Sequence, residues 1–422
     1  MTAGNTIIER VFAEIADSKP EYLGRARLLL RVLAVCGVKA DRDWLGPDSS
    51  VDWRMVAEGA QSQGLLPLIH DKFLAAMPDG AEKKRLGAVL MAERLQSVTR
   101  NLALAAETIR LVTAFEEEGV RVIPFKGCIL ASIVYGDPGC RRPGDIDLLV
   151  QSSDVEKAAA LLARLSYFSL RDRGPAWQAG HLGNDCEWEF TSRERQMCVD
   201  LHWNFTARNF GLRFPIDQIW ARSRRTHFCG RLVEDFSAED LILVLCVHAV
   251  KHYCRQLEWI YTIAMLLKRG TAFSWEQLLR VAKQYGALRH ICICLKLADE
   301  LYSVSLPENV RSQVLKDHVA DRLAVQSLNW VVTGEFAHIS DVQQRFFISA
   351  TRISAWSKFR YWWAVIMTPN EKDFRVELPK WLWWGYPVFR LGRLIAEHIG
   401  IGQNHGHADA SLSKATVWHS PS

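Results

Sequence analysis

The first 118 residues repeat apolar side chains at intervals of three and four, the spacing that lines one face of an α-helix. Leu28, Leu29, Val32, Leu33 and Val35 form one stripe, Val56, Ala57 and Ala60 a second, and Leu104, Ile109, Leu111, Val112 and Phe115 a third. Asp52 stands where it would cap a helix opening at Trp53, and the Gly-Pro-Asp-Ser-Ser and Pro-Asp-Gly runs at 46–50 and 78–80 read as loops. Residues 1–118 are therefore expected to form a helical subdomain. At Gly119 the period changes. Short apolar runs at 121–125, 145–150, 167–170, 187–190 and 196–203 predict strands. Helices are expected at 128–134 and 154–165, the second capped by Asp154 with Glu156 in its first turn. This order predicts an α+β unit over 119–206, a small mixed sheet with helices on one side, flanked by helical regions. From 207 to about 400 the spacing is mostly helical again, broken near Gly230, Gly270, Pro307, Gly334, Pro369 and Pro379. Residues 401–422 lose periodicity and read as a disordered tail, in which His405 and His407 fit a polar tail better than a metal site.

Polar residues inside the apolar runs carry the candidate chemistry. Asp145 and Asp147 flank Ile146, and alternation along a strand puts both carboxylates on one face. The pair reads either as ordinary surface acids on a solvated edge strand or as ligands of a cation, most simply Mg²⁺, and the second is favoured because Asp is depleted in strands and neighbouring carboxylates repel. Asp200 stands near the end of the run 196–203, either as a third acid or as a surface residue at a strand end. Three carboxylates on neighbouring strands suit a site holding two cations about 3.5–4 Å apart for phosphoryl or nucleotidyl transfer. Lys126-Gly127 is either a plain tight turn or one that lets phosphate oxygens reach the N–H groups of the next helix. Arg141 and Arg142 read either as a clamp on a triphosphate or acceptor, or as a solvated basic loop. His248, Lys251 and His252 share one face of a helix expected to open at Ser237, with Glu239 and Asp240 in its first turn. Ala249 stands where a zinc protease needs Glu, which removes that reading; core or interface histidines and a ligand-facing stripe both remain.

The runs Phe125-Lys126-Gly127, Tyr135-Gly136-Asp137 to Arg141-Arg142, Asp145-Ile146-Asp147-Leu148-Leu149-Val150 and Val199-Asp200-Leu201-His202-Trp203 resemble the DNA polymerase beta-like nucleotidyltransferase superfamily. Within it they look like an uncharacterised bacterial nucleotidyltransferase group. The likeness extends weakly over most of the chain and is specific in these motifs. That superfamily usually carries Gly-Ser or Gly-Gly after its first strand, so Lys126-Gly127-Cys128 departs from it and makes Lys126 the substitute donor to a triphosphate. The resemblance implies Mg²⁺ (or Mn²⁺) and an NTP donor. Asp145 and Asp147 would bind both metals, and Asp200 would complete the acceptor-side metal and deprotonate the nucleophile. Lys126 and Gly127 would hold the β- and γ-phosphates, and the stripe of His248, Lys251 and His252 would face the nucleotide. The implied reaction moves an NMP to a hydroxyl or phosphate of an unknown small-molecule acceptor and releases pyrophosphate. Two readings stay beside it: a non-catalytic nucleotide- or partner-binding module on the same fold, and nucleotidylation of a protein.

Composition adjusts this picture only a little. With 422 residues, 49% hydrophobic and 23% charged, the chain has an ordinary globular make-up and room for two or three domains. A formal charge of +5 is too mild for a nucleic-acid coat and suits an anionic small molecule. Ten cysteines with no Cys-x-x-Cys pair argue against a zinc ribbon. With no basic leader ahead of an apolar core, they point to reduced thiols in a cytoplasmic protein. Neither a Walker phosphate loop nor a Gly-x-Ser-x-Gly elbow occurs. No run approaches the roughly 18–20 apolar residues that cross a bilayer. The aromatic segments 361–367 and 381–389, in a chain with 16 tryptophans, fit either packing between helical regions or a peripheral membrane contact.

Overall fold

The computed structural model describes residues 6–37, 51–169, 175–269, 273–369, 373–375 and 378–398. The loop expected at 46–50 and the tail 401–422, with His405 and His407, lie outside the described residues. Five helices open the described chain: α1 (Ile7–Ser18), α2 (Leu23–Val35), α3 (Trp53–Ser62), α4 (Leu66–Ala76) and the 37-residue α5 (Ala81–Glu117). Local chemistry sets their ends. Thr6 and Glu9 form a reciprocal capping box at α1, and the Asp52 side chain accepts from the Met55 N–H at 3.1 Å at α3. Gly119, at φ 69°, turns the chain out of α5.

The central unit runs β1 (Val122–Phe125), α6 (Gly127–Tyr135), β2 (Ile146–Val150), α7 (Val155–Arg164), α8 (Pro175–Asn184), β3 (Glu187–Ser192) and β4 (Met197–His202). Its sheet has the order β1-β2-β4-β3, with β2 and β4 parallel and the two outer pairs antiparallel. The α+β expectation holds: a small mixed sheet flanked by helices. Three local expectations need correction. Strand β2 begins at Ile146, so Asp145 sits on its threshold. Phe168 makes a single bridge to Thr191 in place of the strand expected at 167–170. Asp154 ends a 3₁₀ turn and makes no side-chain cap on α7, because the turn already feeds the chain into the helix.

The rest of the chain comprises α9 (Ile216–Ala221), β5 (Arg224–Phe228), β6 (Arg231–Asp235), α10 (Ala238–Lys251), α11 (Leu257–Lys268), α12 (Trp275–Gln284), α13 (Leu288–Tyr302), α14 (Glu308–Lys316), α15 (His318–Thr333), α16 (Asp341–Ala350), α17 (Ala355–Met367) and α18 (Tyr386–His398). Strands β5 and β6 interrupt the expected helical stretch. They pair across Cys229 and Gly230, whose φ values of 46° and 82° give the twist a two-residue hairpin needs. Arg224, Arg225, Thr226 and His227 give β5 no apolar alternation, which is why the pattern conceals it.

Two apolar cores divide the fold. One joins Val11, Leu30 and Phe73 of the opening helices to Ile242, Ile263 and Ile291 of α10, α11 and α13. Arg10 pairs with Asp321 at 2.6 Å, and Arg25 donates to the Thr333 carbonyl at 2.9 Å, across the same junction. The second core packs one face of the sheet, through Leu148, Val150, Val199 and Leu201, on Leu111 and Phe115 of α5 and Leu161 and Leu162 of α7. On the opposite sheet face Ile123, Phe125 and Leu149 join the first core, and the polar residues between them face a cleft. No described helix is long and apolar enough to cross a membrane.

Candidate active site

On the sheet face turned away from α5, strand register places unlike residues in rows. Phe125 pairs with Asp147, Asp147 with Asp200, and Asp200 with Glu189. One step along, Leu149 pairs with His202 and His202 with Glu187. Residues directly opposite on neighbouring strands share a face, so both rows look into one cleft. Glu187, Glu189 and His202 were not among the residues expected from sequence. The signal was there: Glu187-Trp188-Glu189-Phe190 alternates acid and aromatic just as Asp145-Ile146-Asp147 alternates acid and aliphatic.

The Asp147 carboxylate is the hub. Its Oδ1 accepts from Lys126 Nζ at 2.8 Å and lies 3.0 Å from His202 Nε2. Glu187 Oε2 lies 3.4 Å from His202 Nδ1. Burial works to raise the Asp147 carboxyl, but Lys126 and His202 overcome it and hold that carboxyl well below the usual range. Burial likewise opposes ionisation of Glu187, and its electrostatic neighbours, Lys251 foremost, bring it down to about 2. Lys126 keeps its charge against burial because Asp147, Glu187 and Asp145 surround it.

Lys126 reaches Asp147 from an unusual backbone position, φ 60° and ψ −150°, followed by Gly127 at φ 43°. Such a conformation in a residue with a side chain stores on the order of 1–3 kcal/mol and is held by its surroundings. No side chain caps α6, which begins at Gly127 on the cleft lining, so the first-turn N–H groups are left without a side-chain acceptor. The two arginines expected to act together diverge. Arg141 lines the cleft wall, buried against Glu258, while its carbonyl accepts from Asn101 Nδ2. Arg142 donates outward to Ser97 at 3.1 Å and Glu93 at 3.3 Å on α5, although it too borders the cleft. Asp145 stands on the same rim.

The facing wall comes from α10 and α11. Ser237 caps α10 by accepting from the Asp240 N–H at 3.1 Å, and the helix delivers His248, Lys251 and His252 to the cleft. The two imidazoles lie 4.8 Å apart between centroids and meet Trp259 edge-on at 5.0 Å and tilted at 5.8 Å. Burial, with Lys126, His252 and Lys251 nearby, pushes His248 well below its ordinary value, and burial with Lys251, Arg255 and Lys126 pushes His252 to about 3. Both are neutral and offer N–H donors. Lys251 stays charged against burial through Cys186, Glu187, Asp185 and Asp200. The enclosed volume is about 570 Å³, room for a nucleotide-sized ligand.

Asp147, Asp200 and His202, all buried, bring ligand atoms within 4.8 Å of one another, a donor set that fits a divalent cation. Asp145 is not among these three. The model of an uncharacterised nucleotidyltransferase family matches residues 49–303, more than half of the chain, and spans every residue of the cleft. No curated protein and no solved structure matches the chain. The chain belongs to that uncharacterised nucleotidyltransferase family.

Proposed function

We propose that the chain is a divalent-metal-dependent nucleotidyltransferase acting from an NTP on an acceptor hydroxyl or phosphate. The acceptor oxygen attacks the α-phosphorus, the bond from that phosphorus to the β-phosphate oxygen breaks, and pyrophosphate leaves with the electron pair. The observation that carries this is the register pairing of Asp147 with Asp200, with His202 beside them. Asp147, Asp200 and His202 would hold the cation, with Asp145 at the rim as a further carboxylate. When bound, Mg²⁺ or Mn²⁺ supplies charge neutralisation for the phosphates and polarises the attacked phosphoryl group. Asp200 takes the acceptor proton. Lys126, the open first turn of α6 and Arg141 bind the β- and γ-phosphates, and His248, Lys251 and His252 donate from the opposite wall. Arg142 positions the loop against α5.

Incubation with each α-labelled NTP, a metabolite extract and Mg²⁺ tests the reading. Label transferred to a small molecule by the wild type and lost in Asp147→Asn supports it. Label on a protein substitutes a macromolecular acceptor, and no label anywhere sinks transfer. One observation favours a second reading, a non-catalytic nucleotide-binding module: Lys126 already neutralises Asp147 at 2.8 Å, as a bound cation would. Calorimetric NTP binding that is indifferent to Mg²⁺ and to EDTA, with no turnover, would select it.

A further inference from the structure

More than half of the large apolar side chains exposed among the described residues lie between Val342 and Leu391. They include Trp356, Trp363, Trp381 and Trp384, exposed by 65%, 56%, 74% and 73%. Trp356, Phe359 and Trp363 form one stripe along α17, with ring centroids 5.4 Å and 6.2 Å apart, while Tyr361 and Val365 turn into the core. An aromatic surface of this extent on a folded chain marks a contact surface, because each exposed ring leaves apolar area in water.

Along α17 the charges have one sign. Between Ile353 and Pro369 the charged residues are Lys358 and Arg360, whereas Arg390 and Arg393 are taken up inside the fold by buried Asp373, each at 2.8 Å. Trp363 and Trp384 converge on a cavity of about 600 Å³ that Arg208, Arg213 and Arg360 line and no acid among the described residues enters. A second copy of the chain is a poor occupant, since a self-complementary contact would set Lys358, Arg360 and the cavity arginines of both copies face to face, with no carboxylate on α17 or among the described residues of the cavity to meet them. A bilayer-spanning role is equally poor. Helix α17 has 13 residues, about 20 Å of rise, short of the hydrocarbon core.

We infer that this face docks on an anionic phospholipid surface. The indole and phenyl rings lie at the headgroup level, where an apolar body and a polar N–H are both satisfied. Lys358 and the arginine-lined cavity draw in lipid phosphate, and the cavity takes one headgroup. The inference is independent of nucleotidyl transfer, because no residue it uses borders the catalytic cleft.

Flotation of the full chain with vesicles tests it, using phosphatidylcholine alone or mixed with phosphatidylglycerol. The wild type should partition to the anionic vesicles at least tenfold more strongly than to neutral ones, and added salt should weaken that partition. The variant Trp356→Ala/Phe359→Ala/Trp381→Ala and the variant Arg208→Glu/Arg213→Glu/Arg360→Glu should each lose at least tenfold, with melting temperatures near the wild type. Equal partition to both vesicle types, no partition to either, or variants that bind as the wild type does each overturn the inference. Self-association abolished by the aromatic variant, without vesicle binding, would also overturn it and make the face an interface between copies.

Discussion

The ammonium of Lys126 lies 2.8 Å from Asp147 Oδ1, and both side chains are largely withdrawn from water. A cation of the chain itself thus occupies the electrostatic position that the carboxylate pair of the sheet creates. The strained backbone at Lys126 is the physical expense of putting it there.

Lys126→Met should separate the roles of this ion pair. Without the ammonium, the Asp147 carboxylate binds Mn²⁺ more tightly in the absence of nucleotide, while NTP affinity falls about tenfold or more for loss of a charge-assisted contact. Isothermal titration with Mn²⁺, then with NTP, reads both. Unchanged affinities for both would show that the pair serves neither.

Asp200→Asn and Asp147→Asn should differ in stability and agree in chemistry. Both should lower the transfer rate by about 10²–10⁴-fold, as expected for losing a general base or a ligand next to it. Asp147→Asn also removes the carboxylate that Lys126 donates to, leaving it only Glu187 and Asp145 nearby, so it should destabilise the fold by about 1–3 kcal/mol, whereas Asp200→Asn should melt close to the wild type. Paired melts and single-turnover rates check this.

Acid should weaken the fold in a defined window. His248 and His252 are depressed in the folded chain, His252 to about 3, whereas the unfolded groups titrate near 6.5. Their contribution is complete above about pH 6.5 and falls as pH drops toward 3, by at most about 1.4 kcal/mol per pH unit for each histidine. Glu187, depressed to about 2, adds a loss of the same sign below its ordinary value of 4.5. Melts between pH 7.5 and pH 5 should decline for the wild type and flatten for His248→Gln/His252→Gln.

Gly180→Ala should loosen the aromatic C-terminal region. A Cβ at Gly180 in α8 would come within 2.1 Å of the Phe374 ring, which is buried at 7% exposure. The ring must move, at about 1–3 kcal/mol for an overpacked contact. Limited proteolysis should cut this variant beyond Thr368 sooner than the wild type; an unchanged digestion course would contradict the packing.

Much of the molecule was legible in the chain because the information is local. Helical stripes, the caps at Asp52 and Ser237, the change of period at Gly119 and the Asp-x-Asp and Val-Asp-Leu-His-Trp runs follow from residues within a turn or two of one another. The tight Cys229-Gly230 hairpin escaped because its strands are mostly solvated and polar. Only the tertiary structure decided which acids meet. Strands β2 and β4 are parallel and far apart in sequence, so the register that sets Asp147 beside Asp200 is fixed by packing against α5 and α7. The same long-range assembly turned Arg141 onto Glu258 and Arg142 toward α5, and drew His202 and Glu187 into the cleft. Sequence determined which residues carry charge within apolar strands; three-dimensional packing determined their partners, because a carboxylate interacts with what lies within a few ångströms, whatever the separation along the chain.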